Sequence, residues 1–350
     1  MSHNALFVDA IRAQPKELAL AHFALTRDLQ RARLAEWMPG ETVAVVAMGA
    51  SSHSGNAFVA VLAEAGFRAV NLTASDVLLA ADGFQPADHY VVVSESGRSP
   101  ETIEAARGLT VGRRIGISNF PEAQIGEVID APLGLGGFND SPVYTIGYTA
   151  TLLAYALLLD RLAIVPAGPE VEQISAIVEG ALNAFDSIAE SVSRFVGEAD
   201  AIDVIGRGTS FASAAETALL IREGLRIPSG SYETFQYLHG PMESAAPGTV
   251  LIIFGDGREL TVPDAVVDSG VRVILVTAAP ESAIPSAGHA NLTIVPLDPS
   301  LDGFVRPIVE IVFSQLLLAH AMGRKPFPIE EFIYEQHDTK VEEMGVGREA

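Results

Sequence analysis

Residues 89–108 run HYVVVSESGRSPETIEAARG, and the architecture of the chain can be read outward from them. The apolar run HYVVV predicts a short buried strand, and a turn carrying Ser94, Ser96, Ser99 and Thr102 around Gly97 leads at once into a helix. Ser99 falls at the N-cap and Pro100 at the first helical position, where a missing N–H costs nothing. Such a helix start offers free backbone N–H groups and the positive end of the helix dipole to an anion, and Gly97 lets the backbone approach closely. Glu95 runs against this expectation, because it places a carboxylate inside the proposed cradle.

The same grammar recurs. TVAVVAMGASSHSGNAFVAVLAEAG (residues 42–66) reads as strand, Gly-Ser turn and helix, with Ser51, Ser52 and Ser54 as an opposite wall for an anion, and RRIGISN (113–119) is a further strand. In the second half, IDVIGRGTSFASAAETALLIREGL (202–225) repeats strand, turn and helix, and TVLIIFGDGRE, VRVILVTA and LTIVPL supply more strands. Short apolar strands alternating with helices favour parallel sheets covered on both faces, so the expected fold class is α/β in two tandem units. The expected boundaries are a helical segment at 1–38, a first domain at 39–165, a helical connector at 166–199, a second domain at 200–325 and a tail at 326–350 that is frayed or serves as a lid. Ligands in such sheets sit beyond the C-terminal strand edge, where the hydroxyl-rich turns lie. In the second half, Asp256 and Gly257 of the turn FGDGRE lack the hydroxyl cluster of the first half, so one phosphate site per chain is expected.

Composition excludes several functions. At 350 residues with 49% hydrophobic content the chain can bury two cores, and its formal charge of -22 argues against nucleic acid or an anionic membrane as partner. With no cysteine there are no disulfides and no thiolate nucleophile or metal ligand; this sets no compartment, and a cytoplasmic location is the expectation. The N-terminus lacks the pattern of a secretory signal, and the most span-like run, YTIGYTATLLAYALLLDRLAIV, is cut by Asp160 and Arg161, so a buried core helix is expected there. GRGTSF has Phe211 where a dinucleotide fingerprint needs its third Gly, and no G-K-[ST] loop occurs, which leaves nucleotide binding a distant alternative.

AMGASSHSG, SESGRSPET, GRGTSFASAAETALLIREG and YLHGPMES, in this order and spacing, resemble the tandem sugar isomerase (SIS) domains that form the isomerase half of glutamine:fructose-6-phosphate aminotransferase. The resemblance implies a flavodoxin-like sheet in each half, a homodimer with shared active sites, a sugar-phosphate substrate and no cofactor. By motif, Ser51, Ser94, Ser96 and Ser99 would hold the phosphate, with Ser52 and Thr102 beside them and Glu95 where the family usually has Gln. Glu223 matches the family's proton-transfer base, His239 its ring-opening histidine, reaching a neighbouring subunit's site, and Lys340 a tail lysine that engages the substrate carbonyl. Leu220 stands where the family usually carries Lys. Glu216 and Glu223 share a helix face by their spacing, and Glu216 is a structural candidate. His337 and Asp338 are too few ligands for a metal site, so none is expected.

These features imply a phosphosugar isomerase or a deaminase/deglycase acting on an amino- or amine-linked hexose 6-phosphate, without the cysteine-dependent glutaminase chemistry. The alternative is a non-catalytic sugar-phosphate-binding regulatory protein.

Overall fold

The computed structural model describes residues 5–334 and 338–341. Each half holds one five-stranded, all-parallel sheet. In the first, β1 (Thr42–Ala47), β2 (Arg68–Thr73), β3 (His89–Val93), β4 (Arg114–Ser118) and β5 (Ala131–Gly134) lie in the order β2-β1-β3-β4-β5. In the second, β6 (Ala201–Gly206), β7 (Ser229–Glu233), β8 (Thr249–Phe254), β9 (Arg272–Thr277) and β10 (Leu292–Pro296) lie in the order β10-β9-β8-β6-β7, the same arrangement. This is the flavodoxin-like order, with a topological switch between the first and third strands of each unit.

The helices repeat as the strands do. The first half carries α1 (Phe7–Arg31), α2 (Gly49–Glu64), α3 (Ala74–Leu79), α4 (Pro100–Gly108) and α5 (Ile146–Arg161). The second carries α6 (Pro169–Glu172), α7 (Ile174–Gly197), α8 (Ser210–Leu225), α9 (Thr234–Leu238), α10 (Pro263–Val266) and α11 (Val305–Met322). A long helix, α1 or α7, precedes the first strand of each sheet. The central strands β3, β4 and β8 are buried along their whole length, as strands covered on both faces must be.

One apolar cluster runs through both halves. It joins α1, α2 and α5 to α7, α8 and α11 and reaches the facing sides of β1 and β6, so the two sheets sandwich a shared layer of helices. Smaller clusters cover the outer faces, under α3 and α4 on one sheet and under α9 and α10 on the other. Polar ties cross the shared layer: the Gln14 amide donates to Gln315 at 2.7 Å, and the Tyr148 phenol donates to the carbonyl of Ala212 at 3.0 Å. Among the described residues, one helix is long and apolar enough to cross a membrane. It is α11, not the α5 run that the sequence singles out, and it is a core helix of the shared layer.

Of the four edge strands, β10 carries an apolar run, whereas β2, β5 and β7 carry no long one. No residue of β2 is fully buried, and β5 is four residues long and includes Pro132. Their pairing is set by the neighbouring strand rather than by their own composition.

Candidate active site

In register, Ala47 at the end of β1 lies beside Val93 at the end of β3. The chain leaves these neighbouring strands into α2 on the inner face and α4 on the outer face, which opens a crevice between two helix N-termini. The turn after β3 closes by a hydrogen bond from the Gly97 N–H to the Ser94 carbonyl at 2.9 Å. Gly97 has φ +67, and a Cβ there would meet the Phe120 carbonyl oxygen at 2.7 Å, so the turn depends on glycine. Ser99 is the N-cap of α4 and Pro100 its first residue, as expected; the Ser99 hydroxyl makes no capping bond and is hydrogen-bonded to the Ser94 hydroxyl at 3.2 Å.

Beyond this crevice lies a cavity of about 730 Å³, walled on one side by Ser51, Ser96 and Ser99 and on the other by Glu216 and Glu223 of α8. Burial, and then the charge of Glu216, push the Glu223 carboxyl up to about 8. Glu216 itself is 1% exposed and is hydrogen-bonded to His53 Nδ1 at 3.0 Å.

The tail forms a third wall. Lys340 lines the cavity with its Nζ 5.9 Å from the centroid of the Tyr144 ring, and the Val341 N–H donates to the Arg98 carbonyl at 2.9 Å, which ties the tail to the serine turn. The Tyr144 phenol is pushed well above the ordinary range by burial and by the charges of Glu95, Asp140 and Glu223.

Glu95 is buried and lines the cavity. Its Cγ packs against Gly147, in the first turn of α5, where the free N–H groups and the helix dipole favour a carboxylate. Asp140 occupies the same helix end, accepting from the N–H groups of Ser141 and Gly147, both at 2.8 Å, and from the Thr145 hydroxyl at 2.6 Å. Burial raises the Asp140 carboxyl, and the charge of Glu95 adds to the effect.

Of the residues the sequence singles out, Ser51, Glu95, Ser96, Ser99, Glu223 and Lys340 therefore meet in one cavity. Ser52, Ser94, Thr102 and His239 are not among its lining residues. Ser94 is turned inward to Ser99, and Thr102 is wholly buried within α4. His239 follows α9 at an exposed position on the second half. His337 lies outside the described residues, and among those residues no group of three or more metal-ligating side chains occurs. Tyr144, His53 and Asp140 are the residues that sequence reasoning missed. Tyr144 and His53 matter through partners far away in sequence, Glu95 and Glu216, whereas Asp140 caps the nearby start of α5; the proximity of His53 to the Ser51 turn could have drawn attention to it.

The second half's switch point is filled from within. Arg306 of α11 pairs with Asp256 and, at 2.9 Å, with the buried Glu310, which accepts from the hydroxyls of Ser210 at 2.8 Å and Ser213 at 2.6 Å. A carboxylate thus holds the N-terminus of α8, the position equivalent to the serine crevice of the first half.

Comparison with known proteins agrees with this fold. The SIS domain family model matches residues 197–322. Glutamine–fructose-6-phosphate aminotransferase (isomerizing) of Gloeobacter violaceus is 30% identical over 262 residues, covering 68% of this chain and 42% of that protein. The C-terminal domain of glucosamine-fructose-6-phosphate aminotransferase from Francisella tularensis superposes with a TM-score of 0.74 at 20% identity, covering 94% of this chain and 97% of that one. Glucosamine-6-phosphate deaminase from Thermotoga maritima gives a TM-score of 0.69 at 21% identity, covering 94% and 98%. The chain spans about half the length of the curated relatives it matches, with 42%, 53% and 50% covered in three of them. The protein is a tandem SIS-domain protein. Within that class it resembles the isomerase domain of the aminotransferase and proteins of the glucosamine-6-phosphate deaminase type.

Proposed function

We propose that the protein is a phosphosugar isomerase or deaminase/deglycase that acts on an amino- or amine-linked hexose 6-phosphate. The observation that carries this is one cavity in which the hydroxyls of Ser51, Ser96 and Ser99 face the Glu223 carboxyl. The hydroxyls and the starts of α2 and α4 would bind the phosphate and extend the opened sugar toward α8. Glu223, as carboxylate, would take the proton from one of the first two sugar carbons and return it to the other, work for which an environment that raises its basicity is suited. The Lys340 ammonium would stabilise negative charge developing on the carbonyl oxygen. Ring opening is assigned to His239 of a second copy in a homodimer, because His239 is absent from the lining of its own chain's cavity.

The amine in the substrate follows from charge. Glu95, Glu101 and Glu216 line the cavity beside Glu223, with Lys340 as the cation among its lining residues, so a purely anionic ligand would meet carboxylate repulsion that an ammonium group relieves. A non-catalytic sensor is the alternative, favoured by the same position of His239; it requires binding that survives Glu223→Gln and no turnover.

The test is to incubate the protein in D₂O with glucosamine 6-phosphate, fructose 6-phosphate plus ammonia, and phosphorylated fructosyl-amino acids, following deuterium at the first two carbons and amine release by NMR. Exchange or release with at least one of them is expected. Silence on the whole panel would remove the catalytic proposal.

A further inference from the structure

His53 belongs to α2 of the first half and is not among the residues lining the cavity, yet its Nδ1 lies 3.0 Å from Oε2 of Glu216 on α8 of the second. Its side chain is 29% exposed, whereas that of Glu216 is 1% exposed. A carboxylate so deeply buried is costly unless a donor meets it. The residue one turn along α8 is Leu220, itself 1% exposed in the core, which brings no charge. The charge of Glu216 in turn acts on Glu223, which shares its helix and its cavity.

Other titratable groups surround this pair. Tyr148 of α5 has its phenol raised by burial and then by Glu216, and Tyr144, ahead of α5, feels Glu223. Glu95 and Glu101 face the cavity from the serine turn and α4, and Lys340 from the tail. Glu310 of α11 is engaged by Arg306, Ser210 and Ser213.

We propose that His53 is a positioning residue for Glu223: it holds the Glu216 carboxylate across the boundary between the halves and, by carrying a proton there, sets the charge that Glu223 faces. A histidine is suited to this because it can take or yield a proton near neutrality. The catalytic consequence rests on Glu223 as the proton-transfer group, whereas the coupling itself needs no substrate.

The experiment is therefore a carboxyl ¹³C NMR titration of the ligand-free full chain, with the Glu223 signal assigned by Glu223→Gln. His53→Gln removes the group that can carry a proton beside Glu216 and should raise the Glu223 midpoint, by up to about one pH unit, the limit set by one full nearby charge at an effective dielectric constant of about 20. Glu216→Gln should lower it by a similar amount, and the double variant should match Glu216→Gln alone, because His53 acts through Glu216. In the unmodified protein, the Glu223 signal should inflect at the midpoint read from the His53 imidazole, which keeps the test available should a variant fail to fold. An unchanged midpoint in a folded His53→Gln, or no such inflection, would overturn the proposal. Coupling without turnover on any sugar phosphate would uphold it while removing the catalytic reading of Glu223.

Discussion

Gly147 and Glu95 occupy one another's space: a Cβ added at Gly147 would come within 2.7 Å of Glu95 Cγ. The glycine in the first turn of α5 is what lets a carboxylate lie beside the serine crevice, where its charge acts on the Tyr144 phenol. Gly147→Ala should destabilise the fold by about 1–3 kcal/mol or displace Glu95. Thermal unfolding together with ligand affinity distinguishes these outcomes, and a variant matching the original in both would contradict the packing described.

Replacing that carboxylate reads out its role. Glu95→Gln removes a negative charge from the anion site and should tighten binding of a plain hexose 6-phosphate about tenfold, or ~1.4 kcal/mol. For an amine-bearing ligand the gain should shrink or reverse. Calorimetry with fructose 6-phosphate and glucosamine 6-phosphate, side by side, checks the difference.

Much of this site is legible in the sequence because its elements are local. The start of α4 is announced by Ser99 and Pro100, and the shared face of Glu216 and Glu223 follows from helical spacing. Which hydroxyls line the cavity is not legible: Ser94 and Thr102 sit in the same motif as Ser96 and Ser99, and small differences in turn geometry send the first pair inward. Tyr144 and His53 were missed because their partners come from distant segments, Glu95 and Lys340 for one and Glu216 for the other. The edge strand β2 was missed because half of a strand's pairing information resides in its neighbour.

Glu223 should impose a pH profile. A base is active as carboxylate, so kcat/KM of the free enzyme should fall about tenfold per pH unit below about 8. Glu223→Gln should lose about 10²–10⁴ of the rate at every pH.

The same group contributes to stability with a definite sign. Its carboxyl is raised from 4.5 to about 8 in the folded chain, so its contribution is complete below the lower value and is lost as pH rises through the upper one. Denaturant unfolding of Glu223→Gln should lack that part of the decline and show a relative gain at alkaline pH. Parallel curves for the two proteins would contradict the burial of Glu223.

Gly97→Ala tests the serine turn. Positive φ and the contact with the Phe120 carbonyl together should cost about 1–3 kcal/mol, and the turn should distort before the sheet does. Sugar-phosphate affinity should fall by tenfold or more while far-ultraviolet circular dichroism is retained.

A crystal of the protein with a bound hexose 6-phosphate confronts the whole scheme at once. The phosphorus should sit within hydrogen-bonding reach of the hydroxyls of Ser96 and Ser99, with the first two sugar carbons against the Glu223 carboxyl. Phosphate density elsewhere, or a sugar pointing away from α8, would contradict it.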